Sequence, residues 1–174
     1  MLVVYIILFF AFAALSHGAF LFFARHHQNY STEKKLRLWL LHTWLNGTLW
    51  LMLASFVGTA QFLFLRFNPT PQVQFLGLVS LVIGCFFVAR SHLALGFKQA
   101  MGLRFFFPKK TKKITAGLYR FLNNPMYDGF LFILIGLGLT LGIVEDFYLA
   151  IASFILLNIF FASVENYTLK LNPF

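Results

Sequence analysis

The sequence predicts an all-α, polytopic membrane protein with about five transmembrane helices. Of 174 residues, 60% are hydrophobic and only 11% are charged, and 25 are phenylalanine. A soluble domain of this size needs far more polar surface to cover its core. Four or five stretches also reach the roughly 18 to 20 apolar residues that cross a hydrocarbon core. We therefore expect one membrane domain that spans the bilayer several times.

Five apolar segments are separated by polar residues and prolines. They span about 2–24, 38–65, 73–97, 129–144 and 147–164. His42, Asn46 and Gly47 interrupt the second segment, so we expect its beginning to lie along the membrane interface. The last two segments form a hairpin that we expect to turn at Glu145-Asp146. All five prolines fall between or after the segments, where a missing N–H is harmless.

Basic residues are concentrated in two of the connections between segments. The 25–37 connection carries Arg25, Lys34, Lys35 and Arg37, and the 98–120 connection carries Lys98, Arg104, Lys109, Lys110, Lys112, Lys113 and Arg120. The 66–72 loop has only Arg66, and the 145–146 turn has no basic residue. Cytoplasmic loops are enriched in lysine and arginine, so this pattern predicts an outside N-terminus and a cytoplasmic C-terminus.

Charge and composition also narrow the function. The net charge of +9 lies in loops beside lipid. It therefore favours topology determination and attraction to anionic headgroups over nucleic-acid binding. The alternative for the Lys109–Lys113 cluster is a direct role in holding an anionic substrate headgroup. A single cysteine, Cys85, excludes a disulfide framework and a thiolate metal cluster within the chain. Dinucleotide, phosphate-loop and zinc-protease motifs are missing, and we predict no metal site.

Histidines within the apolar segments are candidates for buried polar contacts. His92 follows Arg90-Ser91 just before the basic 98–120 connection. Polar side chains in membrane helices often form hydrogen bonds between helices, and we favour that role for His92 over catalysis. His26-His27 follows the end of the first segment and is interpreted as an interfacial pair, with metal binding as the less favoured alternative.

The stretch 114–129 is polar and rich in helix-breaking residues, although it lies between two apolar segments. Asn124-Pro125 favours an extended or turn backbone, because the proline ring clashes with an α conformation at the preceding residue. We expect the apolar helix to begin again at Gly129. A turn at the bilayer that carries two amides, two tyrosines and a carboxylate costs free energy to desolvate. Such groups usually persist because they bind something.

Glu165 is the acid most indicative of a site, because it lies at the end of an otherwise apolar segment. Thirty-seven residues separate it from Tyr127, which is enough for about two crossings and a tight turn. The predicted topology therefore returns Glu165 to the level of Tyr127. We interpret Glu165 as one half of a polar pocket; the alternative is a carboxylate that only marks the membrane edge.

Two motifs carry a resemblance to a known family. They are Asn123-Asn124-Pro125-Met126-Tyr127-x-Gly129 and Glu165-x-aromatic-Thr168. Together they resemble the phospholipid N-methyltransferases, which make phosphatidylcholine from phosphatidylethanolamine. The run 115–120 is similar to the wider membrane methyltransferase superfamily, which includes the isoprenylcysteine carboxyl methyltransferases. The resemblance covers roughly 90–170 and divides the single domain 1–174 into N-terminal helices, 1–66, and a methyltransferase-like core, 73–170.

The resemblance implies an integral membrane methyltransferase that uses S-adenosylmethionine and N-methylates a phospholipid headgroup amine at the cytoplasmic face. It implies catalytic roles for Asn124, Tyr127 and Glu165. The implied cofactor-binding residues are Gly96, Gly102, Tyr119, Arg120, Pro125, Tyr127 and Glu165. The implied substrate-binding residues are Arg104, Lys109, Lys110 and Asp128. The implied partners are a membrane lipid substrate and anionic headgroups at the basic loop, with no metal.

General physical chemistry assigns a role to each implied group. Tyr119 and Tyr127 can offer π faces to the cationic cofactor. Arg120 can pair with its carboxylate, and Glu165 can accept hydrogen bonds from its ammonium or ribose hydroxyls. Asn124 can orient the nucleophile. An amine nucleophile must be neutral, and a low-dielectric interface or a nearby acceptor favours the loss of its proton.

Departures from the family pattern leave three alternatives open. Gly96 and Gly102 stand apart where the family has a Gly-x-Gly, and Val164 replaces the first of two adjacent glutamates. These differences motivate a non-catalytic relative as one alternative. The others are a carboxyl methyltransferase of the isoprenylcysteine type and an enzyme similar to the C-terminal membrane domain of sterol reductases. Binding of labelled S-adenosylmethionine or of a reduced nicotinamide cofactor distinguishes the methyltransferases from the reductases.

Overall fold

The fold is seen in a computed structural model that describes residues 2–26, 29–107, 114 and 116–160. The long helices are α1 (Leu2–His26), α2 (Thr32–Ala60), α3 (Pro71–Leu95), α6 (Pro125–Leu141) and α7 (Val144–Phe160). The short helices are α4 (Phe97–Ala100), α5 (Leu103–Phe106) and two 3₁₀ helices, Gln61–Leu63 and Gly117–Arg120. The regular secondary structure of the described chain is helical, apart from an isolated bridge between Arg66 and Ile143. The predicted all-α class is confirmed for this part of the chain.

Three of the helices are long and apolar enough to cross a membrane by length and composition. They contain the spans Val4–Ala24, Thr32–Thr59 and Pro71–Leu95. Helices α6 and α7 have 17 residues each within the described chain. At 1.5 Å per residue, each is about 26 Å long, slightly shorter than a typical hydrocarbon core. Five crossings and the orientation of the termini therefore stay predictions.

Helix α2 is continuous, so the predicted interruption near its middle was wrong. It begins at Thr32, six residues before the predicted start at 38, and runs unbroken to Ala60. Two of the polar side chains expected to break it, those of His42 and Asn46, bond to other side chains and do not compete with the helix backbone. His42 shares a hydrogen bond with His17 of α1, and Asn46 accepts one from the Trp50 indole at 3.0 Å.

Helix α6 begins at Pro125, four residues before the predicted restart at Gly129. Asn124 is the residue before the first turn, with a non-helical backbone at φ −144° and ψ 78°. The Asn124 carbonyl accepts hydrogen bonds from the backbone N–H groups of Tyr127 and Asp128 at 3.0 and 3.2 Å. Proline suits the first position of a helix, because its missing N–H has no intrahelical partner there. The motif therefore forms the first turn of a helix.

The hairpin between α6 and α7 turns at Gly142-Ile143, slightly before the predicted Glu145-Asp146. Glu145 and Asp146 lie in the first turn of α7, where both are buried. The Glu145 carboxylate accepts a hydrogen bond from the Leu65 backbone N–H at 3.0 Å. This contact ties the loop after α2 to the start of α7.

Helices α3 and α6 form a close antiparallel pair built on glycine. Gly77 and Gly84 of α3 meet Gly136 and Gly129 of α6, each pair spaced by seven residues. A Cβ added at Gly84 would lie 2.7 Å from the Gly129 carbonyl oxygen, which no real Cβ tolerates. In lipid, the hydrophobic effect does not drive helices together. Small residues stabilise such helix pairs because they allow the two backbones to approach closely. This packing sets the start of α6 beside the end of α3.

The remaining long helices continue from this pair. Helix α6 packs on α7, α7 packs on α1, and α1 packs on α2. One apolar cluster, Ile6, Leu53, Phe64, Ile143 and Leu149, closes the end of the molecule near the α6–α7 turn. The second, Leu21, Ala24, Trp39, Phe105 and Phe106, joins α1 and α2 to α5 at the opposite end. The described parts of the two basic connections, 25–37 and 98–120, therefore lie at this second end.

Candidate active site

A cavity of about 1160 Å³ lies inside the bundle and is lined by α1, α2, α6, α7 and the end of α3. Polar groups line it toward the end of the molecule that carries the basic connections: His17, Thr43, Asn46, His92, Gln99, Tyr119, Asn123, Asn124 and Tyr127. Apolar groups line it toward the other end: Ile6, Phe10, Leu53, Val57, Leu134, Leu137, Leu141 and Leu149. The cavity is therefore amphipathic along its length.

One face of α6 forms a wall of this cavity from its first turn to its last. The lining side chains Met126, Tyr127, Phe130, Ile133, Leu134, Leu137 and Leu141 recur every three or four residues. At 1.5 Å per residue, the wall is about 22 Å long. The motif residues of the first turn thus open directly onto a long apolar channel.

Two segments that pack against α3 form the polar end of the cavity: a 3₁₀ helix and the start of α6. The 3₁₀ helix Gly117–Arg120 packs beside α3 and brings Tyr119 to the cavity. Asn124 and Tyr127 reach the same cavity from the cap and first turn of α6. Two tyrosine rings and two amides, those of Asn123 and Asn124, therefore surround one space. Such groups can contact a cation through π faces and amide oxygens without contributing a charge of their own.

The segment 97–107 closes the polar end. Its backbone makes a left-handed turn at Gly102, with φ 74°, before α5 begins. The Trp39 indole donates a hydrogen bond to the Met101 carbonyl at 3.0 Å. Phe105 and Phe106 are buried against α1 and α2. These contacts fix Gly102 and Phe105 in the cavity wall.

The structure brings some of the sequence-predicted site residues together. Gly102, Tyr119, Asn124 and Tyr127 all line the cavity. Glu165, Lys109 and Lys110 lie outside the described residues, and Arg104 belongs to α5 with its side chain outside the described part.

Four other predicted residues are positioned near the cavity but do not line it. Gly96 ends α3 at φ 69°, and its N–H donates to the His92 carbonyl at 2.8 Å. Pro125 is buried in the first turn of α6. The exposed Arg120 guanidinium lies 5.7 Å from the centroid of the Phe121 ring. Asp128 is half-buried in the first turn of α6.

The cavity carries no formal charge on any of its described lining side chains. No aspartate, glutamate, lysine or arginine is among them, and the only groups that titrate are His17, His92, Tyr119 and Tyr127. Across the described ranges, no three histidine, cysteine or acidic side chains converge as metal ligands. The chemistry available to these residues is therefore positioning, π contact and proton exchange at imidazole.

Sequence reasoning did not find the contribution of α1 and α2 to this site. His17 Nδ1 and His42 Nε2 share a hydrogen bond of 2.8 Å between the two helices. A histidine within each of two apolar segments was the available signal, but the pairing depends on tertiary packing. His92 also differs from expectation: its Nδ1 bonds the Val88 carbonyl of its own helix at 3.2 Å. The expected bond between helices is replaced by one within α3.

The family comparison matches this part of the chain. A family model described as phospholipid methyltransferase matches residues 73–171, from α3 to beyond α7. The chain belongs to the phospholipid methyltransferase family. The match includes the 3₁₀ helix with Tyr119, the Asn124-Pro125 cap and the polar end of the cavity. It confirms the resemblance carried by the sequence motifs. No curated protein and no solved structure gives a significant match.

The family match and the cavity are not coextensive. Helices α1 and α2 precede residue 73, yet they supply His17, Thr43, Asn46 and many apolar lining residues. In this member of the phospholipid methyltransferase family, the N-terminal helices therefore form the part of the cavity wall that lies outside the matched region.

Proposed function

We propose that this chain is an integral membrane methyltransferase that uses S-adenosylmethionine to N-methylate a phospholipid headgroup amine of the phosphatidylethanolamine type. The observation that carries the proposal is one continuous cavity with a polar end at the Asn124–Tyr127 turn and an apolar end along α6. A phospholipid has the same division between headgroup and acyl chain. Family membership supplies the independent support.

The cavity is suited to the cofactor in size and in chemistry. Ligand pockets commonly occupy about 300 to 1000 Å³, and about 1160 Å³ is sufficient for a cofactor beside part of a lipid. Tyr119 and Tyr127 present aromatic rings of the kind that bind cations such as a sulfonium. Asn123 and Asn124 add amide groups that can bond the polar parts of the molecule. These four residues would hold S-adenosylmethionine.

The residues implied by the resemblance but lying outside the described cavity wall are proposed to act at its entrance. Glu165 would accept hydrogen bonds from the cofactor's ammonium or ribose, and Arg120 would pair with its carboxylate. Arg104, Lys109, Lys110 and Asp128 would contact the lipid headgroup, with Lys109 and Lys110 meeting its phosphate. The basic loop would also bind anionic lipids at the cytoplasmic face.

The proposed catalysis is mainly positioning. When bound, S-adenosylmethionine supplies an activated methyl group on its sulfonium, so no metal is needed. The chain holds the headgroup amine in line with that methyl group, and well-oriented reactants can gain roughly 7 to 11 kcal/mol in this way. Asn124 orients the amine, and the apolar walls of the cavity exclude water. Gly102 and Pro125 fix the backbone around the two reacting groups.

Methyl labelling of lipids in cells tests this function. Cells with and without the chain are fed methionine labelled in its methyl group, and their lipids are extracted and separated. We expect label in N-methylated phosphatidylethanolamine only in cells that carry the chain. Label on a prenylated cysteine carboxyl group would instead indicate the isoprenylcysteine type of methyltransferase. Binding of a reduced nicotinamide cofactor would indicate a sterol-reductase-like enzyme, and neither binding nor labelling would indicate a non-catalytic relative.

A further inference from the structure

We propose that His92 is the proton acceptor that converts the lipid ammonium to the neutral amine before methyl transfer. This inference rests on the proposed function and adds a reacting residue to it. It starts from a chemical requirement: an alkyl ammonium with a pKa near 10 is almost entirely protonated at neutral pH and has no lone pair to attack. A base inside the cavity is therefore needed.

The choice of base among the described lining residues is narrow. Among the described lining residues there is no carboxylate and no lysine, and the titratable side chains there are His17, His92, Tyr119 and Tyr127. Tyrosine ordinarily keeps its proton at neutral pH, whereas imidazole exchanges protons in the neutral range. His17 belongs to α1 and bonds the His42 ring of α2 at 2.8 Å, whereas His92 belongs to α3, which packs against the helix that carries the motif turn. His92 remains as the imidazole that bonds only a carbonyl.

That carbonyl bond fixes the tautomer of His92. Its Nδ1 lies 3.2 Å from the Val88 carbonyl oxygen, which can only accept. The proton must therefore sit on Nδ1, and in the neutral ring Nε2 keeps its lone pair. A bond of this kind orients a catalytic imidazole and leaves the opposite nitrogen as the acceptor.

The register of the helix pair sets His92 level with the motif. A Cβ built on Gly129 would lie 3.0 Å from the Val88 backbone nitrogen, so these two positions meet. Because α3 and α6 are antiparallel, one turn further along α3 reaches His92 while one turn back along α6 reaches Pro125. His92 therefore stands beside the turn that holds Asn124 and Tyr127, and it lines the same cavity.

The other ionisable groups near His92 are not placed to accept the proton in the cavity. The ionisable groups on the elements packed against this end of α3 are Lys98, Tyr119, Arg120, Tyr127 and Asp128, with Arg90 on α3 itself. Of these, only the two tyrosines line the cavity. Lys98 and Arg120 are exposed. Proton uptake by His92 thus adds one positive charge to a cavity that two tyrosine rings also line, and aromatic rings can stabilise a cation.

The proposed step conserves atoms and charge. His92 Nε2 takes one proton from the headgroup ammonium and becomes imidazolium, and the ammonium becomes a neutral amine. The amine lone pair then forms the N–C bond to the donor methyl group, while the C–S bond breaks and its electron pair stays on sulfur. The products are a methylated ammonium and S-adenosylhomocysteine, and the imidazolium returns its proton to water.

The kinetic test compares His92→Gln with a matched control in lipid nanodiscs. His26 is the control, because its Nδ1 bonds the carbonyl four residues earlier, at 2.9 Å from Phe22, on an exposed helix end outside the cavity. We expect His92→Gln to lower kcat by about a hundredfold or more, the usual contribution of a general base. S-adenosylmethionine affinity should stay within threefold, and His26→Gln should match the parent. A variant within threefold of the parental kcat overturns the proposal, as does loss of rate in His17→Gln alone.

The pH profile separates a base from a structural residue. Without its base, the variant can use only lipid that is already neutral, so its kcat should rise about tenfold per pH unit between pH 7 and 9. The kcat of the parent should rise less steeply over the same pH range. Parallel profiles for parent and variant would contradict the assignment.

A readout independent of turnover completes the test. The ¹⁵N resonances of labelled histidine are recorded in phosphatidylcholine nanodiscs before and after phosphatidylethanolamine is added. The His92 Nε2 signal should shift when phosphatidylethanolamine is added, because its lone pair then accepts a hydrogen bond from the ammonium, and it should stay unchanged with phosphatidylcholine alone. An unchanged signal overturns the proposal. If the parent methylates no lipid at all, the proposed function fails, whereas this measurement still decides whether His92 Nε2 bonds the headgroup ammonium.

Discussion

Tyr127 is the motif residue whose position bears most directly on the proposed chemistry. It lies in the first turn of α6, where its N–H donates to the Asn124 carbonyl at 3.0 Å, and its side chain lines the polar end of the cavity. Two charged neighbours in the sequence, Arg120 and Asp128, do not line that wall. Among the described residues, aromatic rings and amides therefore form the surface that would meet a sulfonium.

Substitution of Tyr127 tests whether its ring or its hydroxyl matters. A cation–π contact is worth about 0.5 to 2 kcal/mol, or up to about thirtyfold in affinity. We expect Tyr127→Phe to keep S-adenosylmethionine affinity within threefold and Tyr127→Leu to lose about tenfold, measured by equilibrium binding of labelled cofactor. Tyr148→Leu is the control, since Tyr148 is exposed on α7 and outside the cavity. Equal losses for Phe and Leu would instead assign the role to the hydroxyl.

Glu165 lies outside the described residues, and its proposed contact with the cofactor is tested by charge removal. Loss of a charge-assisted hydrogen bond costs about 1.5 to 3 kcal/mol. Glu165→Gln should therefore weaken S-adenosylmethionine binding by roughly ten- to a hundredfold, with normal membrane insertion. Glu33→Gln provides the control, because Glu33 pairs with Arg37 at 2.6 Å on the exposed start of α2. Parental affinity in Glu165→Gln would assign Glu165 to the membrane edge.

The packing of α3 against α6 positions the residues of the candidate site. Gly84 and Gly129 allow backbone contact, and the Ser80 hydroxyl donates to the Phe132 carbonyl at 2.8 Å within the same seam. This close contact sets both the height of His92 and the position of the first turn of α6. Misplacement of catalytic groups by about 1 Å can cost a hundredfold in rate.

A methyl group inserted in this seam should destabilise the fold. In Gly84→Ala the new Cβ meets backbone of α6, at 2.7 Å from the Gly129 oxygen, so the helices must separate. Overpacking of this kind costs about 1 to 3 kcal/mol. Gly47→Ala in α2 is the matched control, because a Cβ there has nothing within 4 Å and alanine favours helix. The midpoint temperature of thermal unfolding in detergent should fall for Gly84→Ala only. Equal midpoints for the two variants would contradict the close contact between α3 and α6.

At the scale of the whole molecule, the described parts of both basic connections lie at one end of the bundle. Trp39 beyond the 25–37 connection donates to Met101 in the 98–120 connection at 3.0 Å. The bridge between Arg66 and Ile143 closes the opposite end, which is poor in basic residues. The positive-inside rule then predicts that the polar mouth of the cavity faces the cytoplasm.

Cysteine labelling from outside intact cells tests this orientation. Single cysteines are introduced as Lys110→Cys and Pro69→Cys in a Cys85→Ala background, since Cys85 is the only native cysteine. An impermeant reagent should label position 69 and leave position 110 unlabelled until the cells are opened. The reverse pattern would invert the topology and place the candidate site on the outer face.

The sequence predicted the helices better than it predicted the cavity, for physical reasons. Prolines and charges bound the helices, so α1 and α3 fall within a few residues of expectation. The Asn124-Pro125 pair indicated a turn, but it equally suits a helix cap, and tertiary packing on α3 selects the cap. The wall contributed by His17 and Asn46 depends on contacts between segments far apart in sequence. No local pattern contains that information.

Methyl transfer by the purified chain tests the central claim most directly. The protein is placed in nanodiscs of phosphatidylcholine with phosphatidylethanolamine, supplied with S-adenosylmethionine labelled in its methyl group, and its lipids are separated. The account predicts label in N-methylated phosphatidylethanolamine with the parent and a loss of at least tenfold with Tyr127→Leu. Label transferred equally well by both would remove the Asn124–Tyr127 turn from the active site. No label in any lipid, with no detectable cofactor binding, would contradict the methyltransferase assignment.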